Sequence, residues 1–252
     1  MKLRIFDTKE QAAVCAADTV EGILNKKPDA VLCLAAGHTS IPIFDELAGR
    51  RTDFSRARFI GLDEWAGVPA GQEGSCAWFL EKNFFSRVNA KRENISLFDG
   101  MARDLEAACQ DMEERLSLWG GIDYLLLGMG MNGHLALNEP GDGFVRKAHP
   151  VTLSQTTIHV APKYFPGGMP PITEGVTLGI GTLLGAGKIQ LAVFGAHKKE
   201  GVKRLLELSQ KPDTRFPASA LYLADAAELL LDGEAADQSV CREKSVNLHK
   251  NN

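Results

Sequence analysis

Short apolar runs alternate with helical hydrophobic patterns along nearly all of this 252-residue chain. Two of the runs, YLLLG at 124–128 and LAVFG at 191–195, are apolar throughout, as expected of parallel strands that helices cover on both faces. The helical pattern is clear in Asp104–Trp119, where apolar residues recur at intervals of three and four. The alternation predicts an α/β fold: a single three-layer domain of modified Rossmann-like type, with a mainly parallel central sheet and helices on both faces.

The ends of these runs give the boundaries of the predicted elements. The predicted strands are Leu3–Phe6, Ala30–Ala35, Arg58–Leu62, Ile95–Phe98, Ile122–Leu127, Val176–Ile180, Ile189–Phe194 and Leu221–Leu223, and Glu228–Leu231 is either a strand or a helix. The predicted helices are Lys9–Lys26, Ile41–Ala48, Ser75–Val88, Asp104–Trp119 and His197–Ser209. Residues 140–173, rich in proline and glycine, break the alternation and are interpreted as a long functional loop. We interpret residues 1–252 as one domain with a frayed end at 240–252.

Composition narrows the classes of partner. The chain has 28 basic and 32 acidic residues, a net charge of −4 and no long basic run, which argues against nucleic-acid binding. Its five cysteines are scattered and form no C-x-x-C pair, a usage typical of a reducing compartment. No apolar stretch approaches the ~18 residues of a membrane span, so we expect a cytoplasmic protein without a membrane partner. The six histidines form no H-x-x-x-H or H-E-x-x-H pattern, and no metal site is predicted.

Ligands of parallel α/β sheets bind where the strands end, and two such junctions favour an anion. The sequence AAGHTS at 35–40 places a glycine and hydroxyl residues before a predicted helix, a cradle suited to a phosphate. A tight turn with an ordinary helix cap is the alternative. A lysine at the start of the helix after LAVF, Lys198 or Lys199, could reach a phosphate; otherwise both are solvated surface lysines.

A third junction carries two adjacent acids. Asp63 and Glu64 end an apolar run, so at least one carboxylate would enter the cleft. A carboxylate there can act as general base toward a carbon-bound proton. The alternative interpretation is a helix cap or a surface ion pair.

The fourth junction is GMGMNGHLALNEPG at 128–141. Its first three glycines match the dinucleotide pattern G-x-G-x-x-G, but Pro140 follows too soon for the helix that a dinucleotide needs. No nucleotide cofactor is therefore predicted. The loop instead presents Asn132, His134 and Glu139 together, an arrangement in which neighbours can set the tautomer and pKa of the histidine.

The order AAGHTS, LDEW, GMGMNGHLALNEPG, GIGTLL and GAHK resembles the glucosamine-6-phosphate deaminase/isomerase family, which is related to the 6-phosphogluconolactonases. The Asn-Glu-Pro at 138–140 looks like the deaminase branch. Glucosamine-6-phosphate deaminases usually carry Asp-Gly-His in this loop, whereas this chain has Asn132 before Gly133 and His134. With an asparagine at this position, the chain is most similar to the galactosamine-6-phosphate deaminase/isomerase subgroup.

The resemblance implies an amino-sugar-phosphate deaminase/isomerase that needs no cofactor. His134 would open the sugar ring, with Asn132 and Glu139 orienting it. Asp63 would move the proton from carbon 2 to carbon 1, and ammonia would leave to give a ketose 6-phosphate. A 6-phospholactone hydrolase and a non-catalytic sugar-phosphate sensor remain the alternatives.

The resemblance also implies the phosphate ligands and the regulation. The substrate phosphate would bind Gly37, His38, Thr39, Lys198 and Lys163, the last at a position where the family usually has arginine. Some family members are hexamers with a second, allosteric phosphate site. The matching positions Asp142, His149 and Val151 would not hold a phosphate, so no such activation is expected. Association into a homo-oligomer stays open.

Overall fold

A central sheet of parallel strands organises the chain. The computed structural model describes residues 1–141 and 143–236, and within them the sheet has seven strands. They are β1 Lys2–Phe6, β2 Val31–Leu34, β3 Arg58–Ile60, β5 Ile95–Ser96, β6 Tyr124–Leu127, β9 Ile189–Val193 and β10 Ala227–Asp232. Their order across the sheet is β1-β10-β9-β6-β2-β3-β5, and every neighbouring pair is parallel. The predicted α/β fold is confirmed.

Helices cover both faces of this sheet. Successive residues of a strand therefore point into two different apolar cores. Val31 and Cys33 of β2 belong to one apolar cluster, whereas Leu32 and Leu34 belong to another. The helices are α1 Lys9–Lys26, α2 Ile41–Gly49, α3 Cys76–Asn83, α4 Leu105–Trp119, α5 Gln155–Val160, α6 Ile180–Leu184 and α7 Lys199–Glu207. Side-chain caps at Thr8, Ser75, Asp104 and Ser154 begin α1, α3, α4 and α5.

A second, smaller sheet lies beside the central one. It consists of β4 Asp63–Trp65, β8 Glu174–Thr177 and β7 His149–Thr152, in the order β4-β8-β7 and with antiparallel pairing. Its own apolar cluster includes Trp65, Phe165 and Leu137. This sheet was not predicted from the sequence, because Asp63–Trp65 was read as part of the preceding strand and its partner β8 lies more than a hundred positions away.

Several predicted boundaries are wrong for identifiable reasons. The strand predicted at Arg58–Leu62 ends at Ile60, and Asp63 opens β4 in the other sheet. The strand predicted at Val176–Ile180 is the end of β8 followed by the start of α6. The run Leu221–Leu223 belongs to the 3-10 helix Pro217–Leu223, since a short buried apolar run has no periodicity to distinguish a strand from a helix.

The remaining predictions divide between confirmed elements and segments outside the description. Glu228–Leu231 is a strand, the inner part of β10. The predicted loop 140–173 contains β7, α5 and the 3-10 helix Ala161–Tyr164. The helix predicted at Ser75–Val88 divides into α3 and the 3-10 helix Phe85–Arg87. The segment 240–252 lies outside the described residues, and within those residues no helix is long and apolar enough to cross a membrane.

Candidate active site

A cavity of about 1160 Å³ lies between the carboxyl ends of the central strands and the small sheet. It is where ligands of parallel α/β sheets are expected to bind. Asn132 and Glu139 do not line the cavity. Asn132 contacts the backbone of His134, which does line it, and Glu139 contacts Asn132. The predicted site residues that line the cavity are Gly37, His38, Thr39, Asp63, His134, Lys163 and Lys198.

Asp63 lies at the start of β4 with its carboxylate in the cavity. Burial raises the pKa of Asp63 to about 7, the negative charge of Glu64 adds to the rise, and a hydrogen bond from Cys76 opposes it. The Cys76 thiol donates to Asp63 Oδ1 over 3.4 Å. A carboxylate with a pKa near neutrality is suited to general-base catalysis at physiological pH.

The loop that holds His134 requires glycine at two positions, 130 and 133. A Cβ on Gly130 would overlap the His134 ring, and a Cβ on Gly133, where φ is +83°, would overlap the ring of Phe216. The Gly130 N–H donates to the His134 carbonyl over 3.0 Å and closes the loop. Ala136, two residues on, has a φ of +54°, and among the described residues it is the one non-glycine with a positive φ. The backbone is thus bent on both sides of the imidazole.

The Nδ1 edge of the His134 ring faces two side-chain oxygens. Thr157 Oγ1 lies 3.2 Å from Nδ1, and Glu139 Oε2 lies 3.7 Å from it. Burial raises the pKa of Glu139, but hydrogen bonds from His134, Thr157 and Asn132 outweigh it and bring that pKa to about 2. Glu139 therefore stays ionised beside the imidazole.

Asn132 reaches the imidazole only indirectly. Its Oδ1 accepts from the backbone N–H of His134 over 3.2 Å, and its Nδ2 donates to Glu139 Oε2 over 2.8 Å and to Ser154 Oγ over 3.2 Å. The amide therefore fixes the loop and the Glu139 carboxylate. Asn132 does not contact the imidazole ring that the family resemblance assigns it to orient; it bonds to the His134 backbone N–H and to the Glu139 carboxylate.

Two lysines bring positive charge to the cavity. Lys198 Nζ donates to the carbonyl of Met129 over 2.6 Å, and burial, aided by the charge of Lys163, lowers the pKa of Lys198 to about 8. Burial also lowers the pKa of Lys163. Gly37 caps the 3-10 helix His38–Ser40, which leads into α2. This part of the cavity can receive an anion that restores the full charge of both lysines.

Residues 7–230 match the family described as glucosamine-6-phosphate isomerases/6-phosphogluconolactonase. The chain belongs to this family. A glucosamine-6-phosphate deaminase from Thermoanaerobacter sp. (strain X514) is 34% identical over 240 residues, 94% of each chain. Glucosamine-6-phosphate deaminase 1 from Bacillus subtilis (strain 168) is 35% identical over 240 residues, covering 94% of this chain and 98% of that protein.

Solved structures of the family agree with the fold. A monomeric glucosamine-6-phosphate deaminase has a TM-score of 0.88 at 34% identity, covering 93% of this chain and 98% of that one. A 6-phosphogluconolactonase from Thermotoga maritima has a TM-score of 0.71 at 20% identity, covering 92% and 98%, which shows a shared fold alone. The family resemblance read from the motifs is confirmed, and the galactosamine subgroup stays a prediction.

Two residues of the site, Ser154 and Tyr164, were not predicted from the sequence. Ser154 begins α5: its N–H donates to Glu139 Oε1 over 3.1 Å, and its hydroxyl accepts from the N–H of Thr157. Tyr164 stacks on the ring of His38 with centroids 5.3 Å apart and an interplanar angle of 22°. A serine before a short helical segment was the available signal for Ser154. Tyr164 had none, since its partner is distant in sequence.

Two of the three positions matched to the family's allosteric site are described. His149 opens β7 and its Nδ1 lies 3.0 Å from the carbonyl of Lys147, while Val151 pairs with Gly175 of β8. Asp142 lies outside the described residues. Within residues 1–141 and 143–236, no group of three or more His, Cys, Asp or Glu side chains is arranged to hold a metal ion.

Proposed function

We propose that this protein is a hexosamine-6-phosphate deaminase/isomerase, which converts an amino-sugar phosphate to a ketose 6-phosphate and ammonia. The observation that carries the proposal is one cavity that holds Asp63, His134 and two lysines. Relatives named glucosamine-6-phosphate deaminases, alike over nearly the whole chain, support the same chemistry.

Ring opening is the first step. His134 accepts the proton of the anomeric hydroxyl and delivers a proton to the ring oxygen, so that the ring C–O bond breaks and the aldehyde forms. The ionised Glu139 lies 3.7 Å from Nδ1 and stabilises the imidazolium between the two transfers. Thr157 fixes the ring plane from the same edge.

Isomerisation follows on the open chain. Asp63 removes the proton from carbon 2, a C1=C2 double bond forms, and the carbonyl oxygen takes a proton from solvent to give an enol-type intermediate. The same carboxyl returns its proton to carbon 1, while the nitrogen lone pair forms a C=N bond and carbon 2 becomes an iminium. Water adds to carbon 2, a proton passes from the added oxygen to the nitrogen, and the C–N bond breaks to release ammonia and the ketose 6-phosphate. A pKa of about 7 lets Asp63 both take and return the proton.

The phosphate would bind in the part of the cavity that the two lysines and the turn at Gly37 line. Lys163 and Lys198 would hold it there, together with the backbone N–H groups of Gly37, His38 and Thr39. This position leaves carbons 1 and 2 free to reach Asp63 and His134.

We propose galactosamine 6-phosphate as the preferred substrate and glucosamine 6-phosphate as the second. The proposal is supported by Asn132 in place of the usual aspartate. Because Asn132 does not line the cavity, it would act on preference through the His134 loop and not by contact with the sugar.

The deciding experiment measures ammonia and ketose release from both hexosamine 6-phosphates, and acid release from a 6-phosphogluconolactone, with one enzyme preparation. Ammonia release with a higher kcat/KM for the galacto sugar supports both proposals. Ammonia release with a higher kcat/KM for the gluco sugar supports the deaminase and contradicts the galacto preference. Lactone opening without ammonia would establish the hydrolase alternative, and binding without turnover would establish a sensor.

A further inference from the structure

The reaction scheme leaves one buried acid beside the base without a role. Glu64 is 1% exposed, and its carboxylate accepts three backbone N–H groups, each over 2.9 Å. The donors are Trp65 of β4 and the first two residues of α3, Cys76 and Ala77. Glu64 therefore joins the start of α3 to the strand that carries Asp63.

This junction determines which groups can donate to Asp63. The N–H groups of a helix N-terminus attract carboxylates, but those of Cys76 and Ala77 are already taken by Glu64. Asp63 receives the Cys76 thiol instead, with Sγ 3.4 Å from Oδ1. A thiol is a weak donor compared with a hydroxyl or an amide.

The other titratable groups that face Asp63 carry no positive charge. They are Cys33 on β2 and Tyr164 on the 3-10 helix packed against the cavity, and burial raises the pKa of both. Within the described part of the chain, no ion pair involves Asp63. The Glu64 carboxylate also faces the Cys76 thiol, and its negative charge adds to the rise in the pKa of Asp63. Among the described residues, the thiol of Cys76 is thus the side-chain hydrogen bond that favours the charged form of Asp63.

We propose that Cys76 is a positioning residue whose thiol, fixed by the Glu64 junction, orients the Asp63 carboxylate and sets how readily it binds a proton. The inference rests on the proposed role of Asp63 as the base. A strong donor at this position would stabilise the carboxylate and make it a poorer base, and no donor would leave its orientation free. A thiol lies between these limits.

The first test is the pH dependence of kcat/KM for the better hexosamine phosphate. Cys76→Ala should move the acidic limb upward by about half a pH unit, because the charged form of Asp63 loses a hydrogen bond. Cys76→Ser should place the limb below that of Cys76→Ala, because a hydroxyl restores a donor. Cys15→Ala, which removes a buried thiol that does not line the cavity, is the matched control and should leave the limb unchanged.

The second test needs no substrate. The S–H stretching band of Cys76, assigned by subtracting the infrared spectrum of Cys76→Ala, should shift as Asp63 titrates, and Asp63→Asn should abolish that shift. A titrating band with no deaminase activity would contradict the proposed function and leave the thiol–carboxylate coupling intact. A band that does not titrate, or a limb that is identical in wild type, Cys76→Ala and Cys76→Ser, would overturn the inference.

Discussion

The two sheets contribute different chemistry to one cavity. The central sheet ends in the turn at Gly37 and in Lys198, which offer N–H groups and positive charge. The small sheet begins with Asp63 and, through Ser154 after β7, supports the Glu139 carboxylate. His134 lies between them, on the loop that leaves β6 of the central sheet and packs against α5.

This difference separates binding from turnover. Strands of the central sheet are covered by apolar clusters on both faces, so the groups at their ends are held rigidly enough to bind an anion. The acid–base groups lie where the two sheets meet, and burial there shifts the pKa of Asp63 upward while hydrogen bonds shift that of Glu139 downward. Substitutions near the small sheet should affect kcat, and those at the ends of central strands should affect KM.

The largest effect is expected from Asp63→Asn. The amide cannot take the carbon-bound proton, so kcat should fall by about 10³-fold or more while substrate affinity is nearly preserved. Ketose formation and calorimetric binding of the hexosamine phosphate measure the two quantities. Asp225→Asn, an exposed acid outside the cavity, is the control. Weak binding combined with a normal kcat would remove Asp63 from the role of base.

His134→Gln should come next, with a loss of about 10²-fold on cyclic substrate. The loss should be much smaller for exchange of the carbon 2 proton in an analogue fixed in the open form, because that step does not need ring opening. His159→Gln on α5, which is exposed, controls for loss of an imidazole as such. Equal losses on the cyclic and open-chain substrates would show that His134 acts in both steps.

Much of the central sheet could be read from the sequence, and much of the small sheet could not. Runs such as Tyr124–Leu127 are buried along their whole length, which gives a continuous apolar signal. The strand Asp63–Trp65 has three residues and pairs with a segment more than a hundred positions away, so no local pattern reveals it. The other two strands of the small sheet, β8 and β7, lie beside and within the segment interpreted as a loop.

The site divides in the same way. Asp63, His134 and Lys198 were found because each follows an apolar run or a glycine turn that is visible in the sequence. Cys76 and Thr157 were missed because they enter through α3 and α5, whose first turns meet the cavity only in three dimensions. Side chains that support a catalytic group through such tertiary contacts leave no spacing signal.

A moderate effect is expected from Lys198→Met at the end of the central sheet. KM should rise about tenfold with little change in kcat, because one cation leaves the phosphate side. In the wild-type free enzyme the pKa of Lys198 is lowered to about 8, so affinity should weaken as pH rises through 8 and the ammonium deprotonates. That pH dependence should be absent in Lys198→Met and present in Lys203→Met, an exposed control on α7. A fall in kcat alone would contradict a phosphate-binding role.

The smallest expected effect is that of Asn132→Asp, which tests the support behind the small sheet. The new carboxylate would face Glu139 Oε2, now 2.8 Å from Asn132 Nδ2, and like charges at that distance raise the pKa of one of the two acids. The doubled negative charge also favours the His134 imidazolium. The fold should be retained, since the two side chains are nearly isosteric and Oδ1 still accepts from the His134 N–H.

The sign of the pH effect of Asn132→Asp follows from these charges. The acidic limb measured on the cyclic substrate should move upward by about one unit, roughly 1.4 kcal/mol of differential interaction, whereas the limb measured on the open-chain analogue, which reports Asp63, should stay in place. The stability of the variant relative to wild type should also depend on pH. Because the carboxyl pair has a raised pKa in the folded state, the variant should compare best with wild type at low pH and lose stability relative to it as pH rises. The pH profile of kcat/KM and the Tm at several pH values measure both. An unchanged profile would show that position 132 does not affect the histidine's charge. A change in sugar preference without a pH shift would make Asn132 a substrate-selecting residue.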